Sequence, residues 1–204
     1  MSGFPVLGWI LVGLGLAVVA LQRRTIALGA VTAQALLLVA PALAGARDGG
    51  QLAAAIALAV RALALATVFL VVTHRTRDPR PVQQGSAPLR RVALAVALAL
   101  ALTWLVPHVG LPSRGPERVV LALVAFGLLV AATTAATVFQ VLGIVLVENG
   151  LALAALQLPG TSWLIELGVA FDLTLIAVVA SVFHERIFTE FGAGDTSALV
   201  TLRD

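Results

Sequence analysis

The longest apolar stretch of the chain, residues 119–158, reads VVLALVAFGLLVAATTAATVFQVLGIVLVENGLALAALQL. A helix crosses the hydrocarbon core of a bilayer with about 20 apolar residues. The stretch is therefore too long for one crossing and fits two crossings joined by a tight turn. The segment TTAAT, residues 133–137, is the polar and β-branched patch available for that turn. The sequence predicts a membrane hairpin with spans at about 118–134 and 138–158.

The composition of the whole chain agrees with a membrane setting. Of its 204 residues, 60% are hydrophobic and 11% are charged, and its mean hydropathy is +1.06. A soluble domain carries about a quarter charged residues. Because the chain has no long polar block, we expect an all-α, multi-pass membrane protein surrounded by the lipid bilayer and without a separate soluble domain.

Five further apolar runs bring the expected number of transmembrane helices to about seven. They lie at about 4–21, 25–45, 51–73, 92–110 and 161–183. Arginines concentrate in Arg23 and Arg24, in the loop 74–91 and in the C-terminal tail, which all fall on one side of a seven-span topology. Basic loops stay in the cytoplasm, so the N-terminus is expected outside and the C-terminus inside. The loop arginines could also meet anionic lipid or an acidic partner.

The residue types that are missing limit the chemistry. The chain has no cysteine and no lysine, which excludes thiolate metal sites, cysteine-bound iron–sulfur clusters and Schiff bases in this chain. The histidines, His74, His108 and His184, lie near segment ends without helical ligand spacing, and His108 fits a helix end better than a ligand position. We therefore expect no cofactor in this chain and no catalysis by it alone. Its arginines lie in short loops instead of on one basic face, so nucleic acid is not an expected partner.

Four ionisable residues fall inside predicted spans, and they carry the functional argument. They are Arg61, Glu148, Glu166 and Asp172. Arg61, Glu148 and Asp172 lie near the middles of their spans, whereas Glu166 lies nearer the outer surface. Each charge at a helix centre costs about 2.5–3.5 kcal/mol on insertion scales. Three at one depth are expensive unless they pair or face a wet interior.

Two interpretations account for these charges. Arg61 could pair with one acid and merely hold helices together, but one arginine cannot neutralise three carboxylates. The alternative is that the acids bind and release protons inside the membrane. This second hypothesis makes Glu148 and Asp172 proton-relay residues, with Glu166 as a third candidate and Arg61 as the charge partner.

An internal similarity places other polar residues at the same depth. Residues 28–43, LGAVTAQALLLVAPAL, align on Leu-Gly with residues 142–157, LGIVLVENGLALAALQ. Gln34 then falls opposite Glu148. Together with Asn149, Gln34 is a predicted polar residue of the membrane midplane.

The C-terminal third carries a family resemblance. The segments QVLGIVLVENGLALAALQLP and IELGVAFDLTLIAVVASVFHERI, together with the tail GDTSALVTLRD, resemble the E-type membrane subunit of hydrogenase-4 and formate hydrogenlyase-type complexes. That family is similar to the K-type (4L) subunit of respiratory complex I and to the C-type subunit of Mrp antiporters. The resemblance covers about residues 138–204 and is thin before residue 118.

The resemblance implies an organisation and a role. Residues 118–184 would form a K-type three-helix unit, residues 1–117 an N-terminal four-helix region and residues 185–204 a cytoplasmic tail. Glu148 matches the second-helix glutamate of the K-type proton path. Asp172 matches the third-helix position with an Asp where K-type chains have Glu, and Glu166 is the competing choice.

The same resemblance implies partners and a location. The partners would be antiporter-like membrane subunits and a redox module of one oxidoreductase complex. The location would be a bacterial or archaeal cytoplasmic membrane. Two other functions stay open at this point: a subunit of an Mrp-type cation/proton antiporter, and a membrane scaffold that transports nothing.

Overall fold

The computed structural model describes residues 4–21, 23–75, 87–108, 111 and 113–158. In these ranges the chain forms six helices and no strand. They are α1 (Phe4–Ala20), α2 (Arg24–Gly45), α3 (Gly49–Arg75), α4 (Pro88–Leu105), α5 (Arg114–Thr133) and α6 (Thr137–Ala155). The six helices correspond in order to the first six predicted spans. The predicted seventh span, 161–183, and the predicted tail, 185–204, lie outside the described residues.

The hairpin predicted from residues 119–158 is confirmed. Helix α5 ends at Thr133 and α6 begins at Thr137, so the break falls within the TTAAT segment. The hydroxyl groups of Thr133 and Thr134 donate hydrogen bonds to the carbonyl oxygens of Leu129 and Val130, each at 2.6 Å. These bonds satisfy the hydroxyls locally, which lets a polar turn stay next to the apolar core.

Helix α4 differs from its predicted bounds. It begins at Pro88 and ends at Leu105, whereas the sequence placed this span at 92–110. Proline is favoured in the first turn of a helix, where its missing N–H is not needed, and Pro107 disfavours helix just before it. As a result the predicted loop 74–91 is shorter than expected. Arg91 belongs to α4 and is buried, although the sequence placed it in a solvated loop.

The helices have the length and composition of membrane spans. Five of them, α2 to α6, are apolar and long enough to cross a bilayer, and α1 is a shorter apolar helix. Large apolar side chains such as Trp104, Leu105 and Leu63 are more than half exposed, as expected of surfaces that face lipid. The prediction of a multi-pass helical membrane protein is confirmed at this level.

The core of the bundle forms around α5 and α6. Helix α5 also packs against α1 and α4, and α2 packs against α1, α3 and α6. Helices α5 and α6 come closest where Gly127 faces Gly143. A Cβ on Gly127 would lie 2.8 Å from the backbone nitrogen of Val147, and one on Gly143 would lie 2.6 Å from the carbonyl oxygen of Gly127. Small residues allow this kind of backbone contact between membrane helices.

We expect Gly127→Ala to destabilise the bundle by about 1–3 kcal/mol, the usual range for overpacking a tight contact. The added methyl group meets backbone atoms of α6, which cannot move away as a flexible side chain could. Gly29→Ala is the matched control, because a Cβ on Gly29 of α2 meets nothing within 4 Å. Thermal unfolding of the detergent-purified variants measures the difference. Equal melting temperatures for the two variants would contradict the close α5–α6 contact.

Candidate functional site

The structure brings Arg61 and Glu148 together. Arg61 lies on α3 and Glu148 on α6, and the Nη2 group of Arg61 donates a hydrogen bond to Oε2 of Glu148. The two residues are 87 positions apart in the sequence. Of the three acids that the sequence offered as partners of Arg61, Glu148 is therefore the one placed against it within the described residues.

This ion pair is buried near the middle of its helices. The side chain of Arg61 is 3% exposed and that of Glu148 is 11% exposed. Arg61 stands near the centre of α3, and Glu148 lies slightly past the centre of α6. The neighbours of Arg61 on the opposite face of α3, Val60 and Leu63, are exposed. The arginine therefore points to the interior of the bundle, where its charge is shielded from lipid.

A polar chain lies at the same depth and links three helices. Asn149 of α6 donates a hydrogen bond from Nδ2 to Oε1 of Gln34 on α2, at 3.0 Å. Gln34 in turn donates from Nε2 to the backbone carbonyl of Leu11 on α1, at 2.8 Å. Gln34 and Asn149 are both completely buried. The two residues predicted for the polar midplane are thus in direct contact, and they connect α6 to α2 and α1.

Two buried polar atoms in this layer have no hydrogen-bond partner among the described residues. They are Nε of Arg61 and Oδ1 of Asn149. Buried polar atoms in proteins are normally satisfied, and ordered water commonly satisfies them. The ion pair is therefore next to one donor and one acceptor that have no partner among the described residues.

The chemistry of the pair is asymmetric. Arginine stays protonated under all ordinary conditions, whereas a carboxylate can take up a proton and become neutral. Glu148 is consequently the group of the pair that can change charge. When Glu148 is protonated, the attraction to Arg61 is lost, and a positive charge is left in the interior. Protonation of Glu148 is thus coupled to the local field at the centre of the bundle.

The other predicted relay residues, Glu166 and Asp172, lie outside the described residues. Their assignment as continuing members of the proton path therefore stays a prediction. Within the ranges that the structure describes, no group of three His, Asp or Glu residues could hold a metal ion.

A second buried acid pairs with a histidine, a contact that the sequence did not predict. Nδ1 of His108, just after α4, contacts Oε2 of Glu117 in the first turn of α5. The side chain of Glu117 is 6% exposed and that of His108 is 43% exposed. The sequence does contain a signal for this contact. An acid in the first turn of a helix complements the helix dipole, and Glu117 is only nine residues after His108, which follows the preceding helix. The pair connects the loop between α4 and α5 to the bundle.

Comparison with known proteins adds a relative whose role is not described. No protein-family model matches the chain, and no solved structure matches it. The chain is 27% identical over 173 residues to the uncharacterized protein Rv0085 of Mycobacterium tuberculosis. This alignment covers 80% of this chain and 79% of Rv0085. The alignment spans most of both chains, so the likeness is not restricted to the C-terminal third.

Proposed function

We propose that the chain is a non-catalytic membrane subunit of an oxidoreductase complex of the hydrogenase-4 or complex I kind. Its role is to pass protons through the membrane, or the electrostatic signal that moves them, between antiporter-like subunits and a redox module. Glu148 is the group that binds and releases the proton. Arg61 is the charge partner that holds Glu148 in its ionised form, and Asp172 or Glu166 continues the path on the following span.

One observation carries the proposal: the buried ion pair of Arg61 and Glu148 at the centre of the bundle. Burying two charges in a membrane interior is costly, and an apolar pair of similar size would stabilise the helices at least as well. A pair of this kind therefore suits a function that needs a switchable charge better than one that needs only stability. The polar chain of Gln34 and Asn149 at the same depth supports this, because it supplies groups beside the carboxylate that can orient water.

The assignment to a hydrogenase-4 or complex I type of complex rests on the resemblance of residues 138–204. In that resemblance the Glu-Asn-Gly sequence at 148–150 stands at the second-helix glutamate of K-type subunits. In this chain the sequence lies on α6 with its carboxylate turned toward α3. The N-terminal region thus contributes the cation of the pair. In this proposal α3 supplies part of the proton site that the three-helix unit lacks by itself.

Isolation of the native complex tests the assignment. The chain, tagged at its chromosomal locus, is extracted in mild detergent, and the co-eluting subunits are identified by mass spectrometry. We expect antiporter-like subunits together with a redox module. Antiporter subunits without any redox protein would favour the Mrp-type alternative. Elution of the chain alone under conditions that keep other membrane complexes intact would contradict both.

The proposed orientation can be tested separately with single cysteines in this cysteine-free chain. Ala87 precedes α4 and Ser113 precedes α5, and both positions are exposed. Since α4 crosses the membrane between them, we expect Ala87→Cys to react with an impermeant thiol reagent from the cytoplasmic side only. Ser113→Cys is expected to react from the outside only. Labelling of both cysteines from the same face would contradict the topology.

A further inference from the structure

A second buried arginine, Arg91, lies away from the ion pair and has unused hydrogen-bonding capacity. It stands in the first turn of α4 and is 4% exposed. Its Nε and Nη2 atoms are buried and have no hydrogen-bond partner among the described residues. These two nitrogens form the edge of the guanidinium group that carries two parallel N–H bonds. This edge is the one that binds a carboxylate or a phosphate.

Arg91 lines a small cavity with room for about one water molecule. Apart from Arg91, the lining residues come from the ends of α1 and α5, the turn after α5 and the start of α6. They are Val18, Val19, Leu129, Val130, Thr133, Thr134 and Phe139. The hydroxyls of Thr133 and Thr134 already donate to helix carbonyls, so the strongest free donors at the cavity are those of Arg91.

The start of α6 adds to the positive potential there. Its N-cap residue is Ala136, which has no side-chain capping group, and its first turn contains no acid. The N–H groups at an uncapped helix start favour an anion. Phe139 of this first turn lines the cavity. The N–H groups of Phe139 and Gln140 already bond to the carbonyl oxygen of Ala136, so α6 contributes its dipole at this space and Arg91 contributes the hydrogen-bond donors.

No acid of the described residues lies at this end of the bundle. Asp48 and Glu117 are at the opposite end, and Glu148 is inside α6. The charged residues of the described helices at this end are arginines, among them Arg23, Arg24, Arg90 and Arg91. Any counter-charge for Arg91 therefore lies outside the described residues, either on an undescribed segment of this chain or on a bound molecule.

We propose that Arg91 and the start of α6 bind the phosphate group of an anionic phospholipid in the adjoining leaflet. Arg91 is in the first turn of a membrane-spanning helix, at the level where head groups lie. Leu94, about one turn further into α4 on the same side as Arg91, is exposed and provides an apolar surface for acyl chains. The cavity has room for one phosphoryl oxygen, which can accept from both N–H groups of the Arg91 edge while the glycerol and the chains stay in the bilayer.

Thermal unfolding of the full-length chain in neutral detergent, with added lipid, tests this site. Phosphatidylglycerol is expected to raise the melting temperature in a saturable way. Arg91→Gln should weaken its apparent affinity about tenfold or more, since a hydrogen-bonded charge is lost. Arg90→Gln is the matched control, because Arg90 is the exposed neighbour on the same helix turn and its loss removes the same charge. The Arg90 variant should respond like the wild-type chain.

Two further measurements distinguish a lipid phosphate from free inorganic phosphate. If inorganic phosphate without lipid gives the same Arg91-dependent stabilisation, the site binds free phosphate and the lipid assignment is wrong. If neither phosphate nor phosphatidylglycerol has an effect that depends on Arg91, the site does not exist. Should the Arg91→Gln variant fail to fold, native mass spectrometry of the wild-type chain decides. The proposal is supported if the wild-type chain and Arg90→Gln retain phosphatidylglycerol in preference to phosphatidylcholine and Arg91→Lys does not. Equal retention of both lipids by the wild-type chain overturns it.

Discussion

Glu148→Ala destabilises the chain by about 3–5 kcal/mol, the cost of leaving one member of a buried ion pair without its partner. Arg61→Ala costs less. The reason is the difference between the two side-chain types: an unpaired carboxylate can become neutral by taking up a proton, whereas a guanidinium group stays charged. The Glu148→Ala variant therefore keeps the buried positive charge of Arg61 without a counter-charge. Reversible unfolding of the purified chain in mixed micelles measures both variants.

The double variant Arg61→Ala/Glu148→Ala is the control for this prediction. It leaves no buried charge of the pair, so its stability should recover a large part of the loss caused by Glu148→Ala. The coupling energy from the four proteins then reports the interaction of the two side chains. A double variant whose loss equals the sum of the two single losses would show that Arg61 and Glu148 do not interact in the membrane.

If the chain has the proposed role, we expect Glu148→Gln to abolish most of the proton translocation of its complex. Glutamine keeps the size and the polar head of the side chain but cannot bind and release a proton. It also leaves Arg61 without a counter-charge, so a loss of activity by this variant alone could reflect poor folding. The decisive variant is therefore Arg61→Gln/Glu148→Gln. It is expected to fold and assemble, because no unpaired charge of this pair remains, and still to lack translocation.

Arg61→Gln and Glu148→Asp separate the two roles further. Arg61→Gln keeps the titratable carboxyl, so translocation should fall in part and respond to pH differently from the wild type. Glu148→Asp keeps the proton site about one methylene out of place, so partial activity is expected. A scaffold role predicts a different order: activity would then follow the amount of assembled complex in every variant, and the double glutamine variant would be fully active.

Much of the fold follows from the sequence, because hydrophobic length dominates in a membrane. The 40-residue run 119–158 and its TTAAT segment determine the hairpin of α5 and α6, since no single helix of that length fits a bilayer. The predicted start of α4 is too late, because arginines are typical of loops between spans. Pro88 begins the helix before them, and the long side chain of Arg91 is buried among neighbouring helices that periodicity does not reveal.

The candidate site could be predicted in part. The cost of a charge in a span singled out Arg61 and Glu148, and the internal similarity singled out Gln34. The choice of Glu148 as the partner of Arg61 was out of reach, because pairing depends on which helices pack together. The contact of Gln34 with Asn149 has the same origin. A pair such as His108 and Glu117 lies at a loop, where hydrophobicity gives little information.

The most direct test of Glu148 as a proton carrier is the pH gradient formed by sealed vesicles that hold the native complex during turnover. The rate is normalised to the amount of this subunit, and the wild-type complex is compared with the Arg61→Gln/Glu148→Gln complex. We expect normal assembly and a large loss of proton translocation in the double variant. Full translocation by an assembled double variant would contradict the proton-carrier role and would leave the ion pair of Arg61 and Glu148 as a purely structural contact.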